Sequence, residues 1–545
     1  MRSLGAAFVL VLVLGGVARF VGLGDKPIWH DEVYTRIFAA GHHSEEWIQA
    51  LYVGRPLARD EVLRFQRLGP DRTALDTVRG LARDEPQHPP AYYLLARLWM
   101  EVFGDALGTL RALSAIVSLA SVLLAWWLAR ECMRWARAAP PTAPETAPAT
   151  TVGATFVALV AASPFLVTYA QEAREYALWG ASVLASTALL LRAERTGRWG
   201  AWLGFALVTA LGLYTAFAHA SVAACQGAWL AGRRIRSRAG WRDWVRAGAA
   251  LGLAGALFLP WALLLLDHMD AFRASMDWSR AIVVPTGETL ATLATNVSRP
   301  FVELGAAEDP SPFAAAMIAL AVALVLWSLV RWIRRGTHGL RALFVLLLVV
   351  PVGLLVVPDL LVGGIRSASA RYMFPAWLAA LWLVAWSLAS LGGRRGLALR
   401  VAVVAVAAAS TLGVVSAAVP WSRELSIGLG AVANAINQTE RPLVLGDRER
   451  HHPGNLLALA TLVKPETEFV FLDHPARDAW IARLETEGTQ GATPWPPGGL
   501  AGGLAGGRTL FVYAPVPQLL RALERAFDRS ATPVWEGLHV ACWRF

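Results

Sequence analysis

Tyr169-Ala170-Gln171-Glu172-Ala173-Arg174-Glu175-Tyr176-Ala177-Leu178 joins two apolar runs, 151 to 169 and 176 to 192, with almost no loop between them. About 17 to 25 apolar residues cross about 30 Å of hydrocarbon as a helix, so the two runs read as consecutive membrane spans. The charged stretch is then a tight turn at the membrane surface. Four polar side chains in so short a turn need a reason beyond topology. Arg174 offers a planar fork for a phosphate, or else it forms an internal ion pair with Glu172 or Glu175.

Outward from this turn, the same window finds about eleven spans. They lie near 4 to 23, 109 to 129, 151 to 169, 176 to 192, 199 to 217, 219 to 232, 247 to 266, 312 to 330, 342 to 361, 373 to 391 and 400 to 419. Composition agrees: of 545 residues, 56% are hydrophobic and only 17% charged, with mean hydropathy +0.45. This excludes a disordered chain, and three scattered cysteines (Cys132, Cys225, Cys542) exclude a disulfide framework or a zinc motif. The first run resembles a signal peptide, but no small-residue cleavage site follows it.

The net charge of +10 suggests a nucleic-acid binder until its placement is read. The arginines cluster in every second short loop: Arg130, Arg134 and Arg137; Arg192, Arg195 and Arg198; Arg233 to Arg246; Arg331 to Arg341; Arg394, Arg395 and Arg400. That is the pattern of cytoplasmic loops beside anionic lipid, so no nucleic-acid partner is expected. It predicts a multi-pass protein of the plasma (inner) membrane with the N-terminus cytoplasmic. The loops 24 to 108, 170 to 175, 267 to 311 and 362 to 372 then lie outside. Many of the 24 tryptophans fall at span ends, as interfacial belts do.

The fold class expected is an all-α polytopic membrane protein, residues 1 to 419, with a small extracytoplasmic α/β domain at 420 to 545. In the membrane part, the first outer loop (24 to 108) carries short surface helices. In the C-terminal part, β-type runs at Leu443 to Leu445, Phe469 to Leu472, Leu510 to Tyr513 and Leu538 to Trp543 alternate with helices near 455 to 463 and 517 to 528. Pro140 to Pro148 reads as a connector and Gly498 to Gly507 as a hinge.

Three more polar segments stand at outer span ends. Gly24-Asp25-Lys26-Pro27-Ile28-Trp29-His30-Asp31-Glu32 follows the first run. Its adjacent carboxylates suit a general base or a clamp for a divalent cation, Mg²⁺ or Mn²⁺; they equally suit a helix start that favours the dipole. In Gln87-His88-Pro89-Pro90-Ala91-Tyr92-Tyr93, the prolines place His88 at a helix N-terminus, as an anion site or a simple cap. Arg366-Ser367-Ala368-Ser369-Ala370-Arg371-Tyr372-Met373-Phe374-Pro375 puts two arginines on an outer loop, against the charge rule, either for a ligand or by chance placement. Tyr214, His219, Asp267, His268 and Asp270 rank below these as interface anchors.

In this order, Trp29-x-Asp31-Glu32, His88-Pro89-Pro90 with Tyr92-Tyr93, Gln171-Glu172-Ala173-Arg174-x-Tyr176 and Arg371-Tyr372-x-x-Pro375 resemble the multi-spanning type-C glycosyltransferases. The nearest group is that of the protein mannosyltransferases and lipid A aminoarabinose transferases, over residues 1 to 390. The resemblance implies a sugar, hexosyl or pentosyl, carried on a polyprenyl phosphate donor lipid. It is transferred with inversion to an acceptor hydroxyl of protein, lipid or glycan on the outer face. It casts Asp31 as the base with Glu32 orienting the site or sharing a metal. His88, Arg174 and Arg371, with Glu172, Tyr176 and Tyr372 beside them, would hold the phosphate. The rival class is a transporter or flippase of polyprenyl-linked sugars, which calls for inverted repeats and mid-membrane polar groups; no repeat is evident and such groups are few.

Overall fold

The computed structural model describes residues 2–138, 148–238, 240–280, 282, 284–304, 311–416, 426–449, 452–487, 508–537 and 540–545. The 140 to 147 stretch and the 498 to 507 hinge therefore lie outside the described residues. Contacts divide the chain into two compact units: Met1–Leu23 with Leu81–Leu95 and Leu110–Ala417, and Gly24–Gly80 with Ala96–Thr109 and Ala418–Phe545. The first outer loop thus contributes to both.

The first unit is helical. Among the described residues, seven helices are long and apolar enough to cross a membrane: Leu107–Arg137, Tyr176–Thr196, Trp241–Asp267, Pro312–Arg335, Arg341–Val362, Ala370–Ala389 and Gly393–Ser416. An eighth span arises if Ala149–Ala162 and Pro164–Ala170, bent by 50° at their junction, are counted as one. Pro164 cannot continue the first of these helices but starts the second, whose Leu166 N–H donates to the Ser163 hydroxyl.

The expected number of about eleven exceeds this, for local reasons. The first run folds as a 17-residue helix, Arg2–Ala18, and Trp199–Thr215 is equally short, each about 25 Å long at 1.5 Å per residue. The run at 219 to 232 belongs to His219–Ser237, which bears Gln226, Arg233, Arg234 and Arg236.

The core of this unit is the helix Phe374–Ala389, buried along its whole length. It packs against Ala149–Ala162, Pro312–Arg335 and Arg341–Val362. Trp382 meets Phe156 edge-on and stacks on Phe344. Where Tyr176–Thr196 crosses near its start, Gly180 lies against the Phe374 ring so closely that a Cβ would overlap it, the kind of small-residue contact that lets apolar helices pack tightly in lipid. Arg19, fully buried just past the first helix, donates to Ser118 Oγ (2.9 Å) and to the carbonyls of Gly15 (2.6 Å), Ala161 (3.0 Å) and Val160 (3.1 Å). A charge at such depth persists because its donors are satisfied.

The second unit is built on a six-stranded sheet in the order β1-β3-β2-β4-β6-β5. The strands are β1 (Leu57–Ala58), β2 (Pro442–Asp447), β3 (Glu468–Leu472), β4 (Thr509–Tyr513), β5 (Thr532–Glu536) and β6 (Ala541–Arg544). Strands β2, β3 and β4 are mutually parallel, and the edges β1 and β5 pair antiparallel. Three expected runs become β2, β3 and β4, and the fourth shifts to β6. The short exposed edge β5 and the two-residue β1 carry too few apolar residues to stand out.

Both faces of this sheet are covered, as a parallel sheet requires. Leu443, Leu445, Val470 and Leu472 face one core, and Val444, Phe469, Phe471 and Phe511 the other. The second core takes in Ile28, Val33 and Ile37, so the helix His30–Ala39 of the first outer loop packs directly on the C-terminal helix His452–Leu462.

Candidate active site

The acids of the first loop sit at the start of His30–Ala39. Glu32 is fully buried, and its Oε2 accepts from the Trp29 backbone N–H (3.3 Å), capping its own helix. Asp31 is 18% exposed, and its Oδ1 lies 2.9 Å from Nε2 of His30. At the far end of this helix, Arg36 donates to Gln66 Oε1 (3.1 Å), and the Gln66 amide donates to the Leu457 carbonyl (3.1 Å). Through Gln66, the acid-bearing helix is tied to the C-terminal helix His452–Leu462.

Among the described residues, no three His, Cys, Asp or Glu side chains gather into a group able to hold a metal ion. Asp31 and Glu32 alone supply one or two carboxylate donors, which serves Mg²⁺ only where a substrate phosphate completes its shell.

The other sequence-predicted residues belong to the first unit. The turn 171 to 175 is pinned from below: the Gln171 amide donates to the carbonyls of Ala18 (2.7 Å) and Val21 (2.9 Å). Glu172 is fully buried. Arg174, 4% exposed, has Nε 3.2 Å from Glu175 Oε2 and donates through Nη1 to the Tyr93 hydroxyl (3.1 Å). His88 Nδ1 approaches Glu175 Oε1 at 3.5 Å. Burial pushes the Glu175 carboxyl up, but Arg174 and His88 outweigh it and hold the group down to about 2. Arg174 thus forms an internal ion pair with Glu175, and His88, which precedes the helix Ala91–Phe103, approaches the same carboxylate.

Arg371 and Tyr372 arrive on the loop between Arg341–Val362 and Phe374–Ala389. The Arg371 guanidinium lies 5.2 Å from the Tyr372 ring centre, and Arg371, Glu175, Arg174 and Tyr372 all act electrostatically on Tyr176. Five of the eight sequence-predicted residues, counting His88 through Glu175, therefore belong to one cluster: His88, Arg174, Tyr176, Arg371 and Tyr372. The cluster lies at the N-terminal end of Tyr176–Thr196, whose other end bears Glu194 and Arg195, about 30 Å away for 21 residues.

Arg366 does not join it. Its Nη1 donates to Asp359 Oδ1 (2.8 Å) and the Gly363 carbonyl (2.8 Å), while Asp359 Oδ2 accepts from the Ser367 N–H (2.7 Å). The Asn296 amide donates to the carbonyls of Ser367 (2.9 Å) and Ala368 (3.1 Å). Asp359 and Asn296 thereby fix the loop that presents Arg371. Of the lower-ranked residues, Tyr214 donates to the Leu257 carbonyl and His219 is buried against Gly212, both within helix packing.

With this geometry in place, the chain matches the crystal structure of ArnT from Cupriavidus metallidurans bound to undecaprenyl phosphate, with a TM-score of 0.54 at 13% identity, covering 100% of this chain and 98% of that one. The fold is that of the type-C glycosyltransferases. The oligosaccharyltransferase AglB from Archaeoglobus fulgidus matches at a lower TM-score (0.45, 12% identity, 93% of this chain and 69% of that one). The S. cerevisiae protein O-mannosyltransferase Pmt1-Pmt2 complex matches lower still (0.31, 13%, 48% of this chain and 33% of that one). No protein-family model and no curated protein matches the sequence.

Sequence reasoning named Glu175 as an ion-pair partner of Arg174 but passed over His30 and Asp359. His30 lies inside a quoted motif, next to the acid it pairs with. Asp359 stands inside an apolar run, where a lone carboxylate is itself a signal.

Proposed function

We propose that the chain is an integral-membrane glycosyltransferase of the plasma (inner) membrane, multi-pass with its N-terminus cytoplasmic. It transfers a sugar from a polyprenyl-phosphate donor to an acceptor hydroxyl on the outer face, inverting the anomeric carbon. The observation that carries this reading is the cluster of Arg174, Tyr176, Arg371 and Tyr372 at one end of a span, in a chain whose fold is that of a protein solved with undecaprenyl phosphate bound.

The chemistry follows from the charges. The acceptor oxygen attacks the anomeric carbon as the bond from that carbon to the phosphate oxygen breaks. The hydroxyl proton goes to Asp31, and the carrier leaves as its monophosphate. Preorganised positive charge stabilises the leaving phosphate. We assign that charge to Arg174 and Arg371, with His88 beside them. Glu32 holds the helix start that presents Asp31.

The test is a transfer assay with purified protein, radiolabelled polyprenyl-phosphate sugars and candidate acceptor lipids, glycans and proteins. Wild type should yield labelled acceptor and free polyprenyl phosphate. Arg371→Ala should lose about 10²-fold to 10³-fold in kcat, as loss of one oxyanion partner does. Label that crosses vesicles with its glycosyl bond intact would mark a transporter instead.

A further inference from the structure

The helix that bears Asp31 begins with a histidine whose surroundings are unusual for a surface loop. His30 is 12% exposed, and its Nε2 faces Asp31 Oδ1 at 2.9 Å. The ring is held edge-on between the rings of Trp29 (5.3 Å between centres) and Tyr34 (6.4 Å). Behind it stands Gly454 in the C-terminal helix His452–Leu462. A Cβ on Gly454 would come within 2.7 Å of the His30 Cβ and 3.2 Å of the Tyr34 ring, so nothing larger than glycine lets the two helices meet here. Nδ1 is buried and has no hydrogen-bond partner among the described residues. All of these residues belong to one compact unit.

A carboxylate only accepts hydrogen bonds. In either charge state of the ring, the 2.9 Å contact therefore requires the proton on Nε2. A donor held by two aromatic rings and a glycine contact has little freedom to turn, so it fixes the plane of the carboxylate it meets. Orientation of this kind decides rates, because a base must be held within hydrogen-bond reach of the proton it takes.

We infer that His30 is the positioning residue of Asp31, and that the C-terminal α/β fold serves catalysis by seating His30 against Gly454. This rests on the reading of Asp31 as the base. It gives the C-terminal segment a role in the transfer step itself. On this account His30 donates one hydrogen bond throughout and relays no proton, so an amide N–H in the same place serves as well.

The experiment compares His30→Gln, His30→Asn, Gly454→Ala and Asp31→Asn with wild type in the same transfer assay, reading kcat and the donor KM. The Gln amide reaches the place of Nε2 and the Asn amide does not. His30→Asn should lose about 10-fold to 100-fold in kcat, as expected for one hydrogen bond to a charged group, with the donor KM unchanged, and His30→Gln should recover most of it. Gly454→Ala should shift kcat in the same direction as His30→Asn. Equal activity of His30→Asn and wild type, or a Gln variant as slow as the Asn variant, overturns the inference. An active Asp31→Asn overturns instead the reading on which it rests. The Gln and Asn comparison stands even if Gly454→Ala fails to fold.

Discussion

The carboxylate of Glu175 stands 3.2 Å from Nε of Arg174, with both side chains at most 5% exposed. A buried ion pair of this kind gains little against an apolar replacement of both partners, but removing one partner strands the other charge, at a cost of about 3–5 kcal/mol. Glu175→Gln should therefore destabilise the protein by about that amount, measured as a lower thermal midpoint in detergent.

The same pair sets an acid limit. The Glu175 carboxyl is held down to about 2 from 4.5. A depressed carboxyl contributes stability that is fully present above its unfolded value and lost as pH falls through its folded one. Between about pH 4.5 and pH 2, wild type should lose stability that Glu175→Gln never had, on the order of 3 kcal/mol at 1.36 kcal/mol per unit. Parallel pH profiles for the two proteins would contradict this.

Asp359 should act on the donor from a distance. Asp359→Asn removes the charge that holds Arg366 and weakens the anchor at the Ser367 N–H, loosening the loop that carries Arg371. The donor KM should rise by roughly tenfold for each 1.4 kcal/mol of lost positioning, while a donor-independent readout such as detergent monodispersity stays intact. Asn296→Ala should shift the KM in the same direction, since its amide holds two carbonyls of that loop.

Gly180→Ala tests the packing beneath the site. Its Cβ would overlap the Phe374 ring, and overpacking of this kind costs about 1–3 kcal/mol. The expected result is a lower midpoint, partly restored by Phe374→Leu, which makes room on the same side.

Much of this arrangement was legible in the sequence because membrane helices announce themselves by length and apolarity. The runs that became Tyr176–Thr196 and Arg341–Val362 needed nothing else, and the charged turn between two of them pointed at Arg174. What escaped depended on partners distant in the chain. His30 gains its meaning from Gly454, more than four hundred residues later, and no local pattern links them. The first outer loop reads as surface helices until Ile28, Val33 and Ile37 are found in one core with Val444 and Phe469. Two short strands were missed because pairing with β3 and β6, not their own composition, makes them strands.

The measurement closest to the central claim is the anomeric configuration and rate of product formed by wild type and by Asp31→Asn from one polyprenyl-phosphate sugar. The account predicts inversion by wild type and a loss of about 10²-fold to 10⁴-fold in the variant, the usual share of a general base. Retention of configuration, or an Asn variant as fast as wild type, would contradict it.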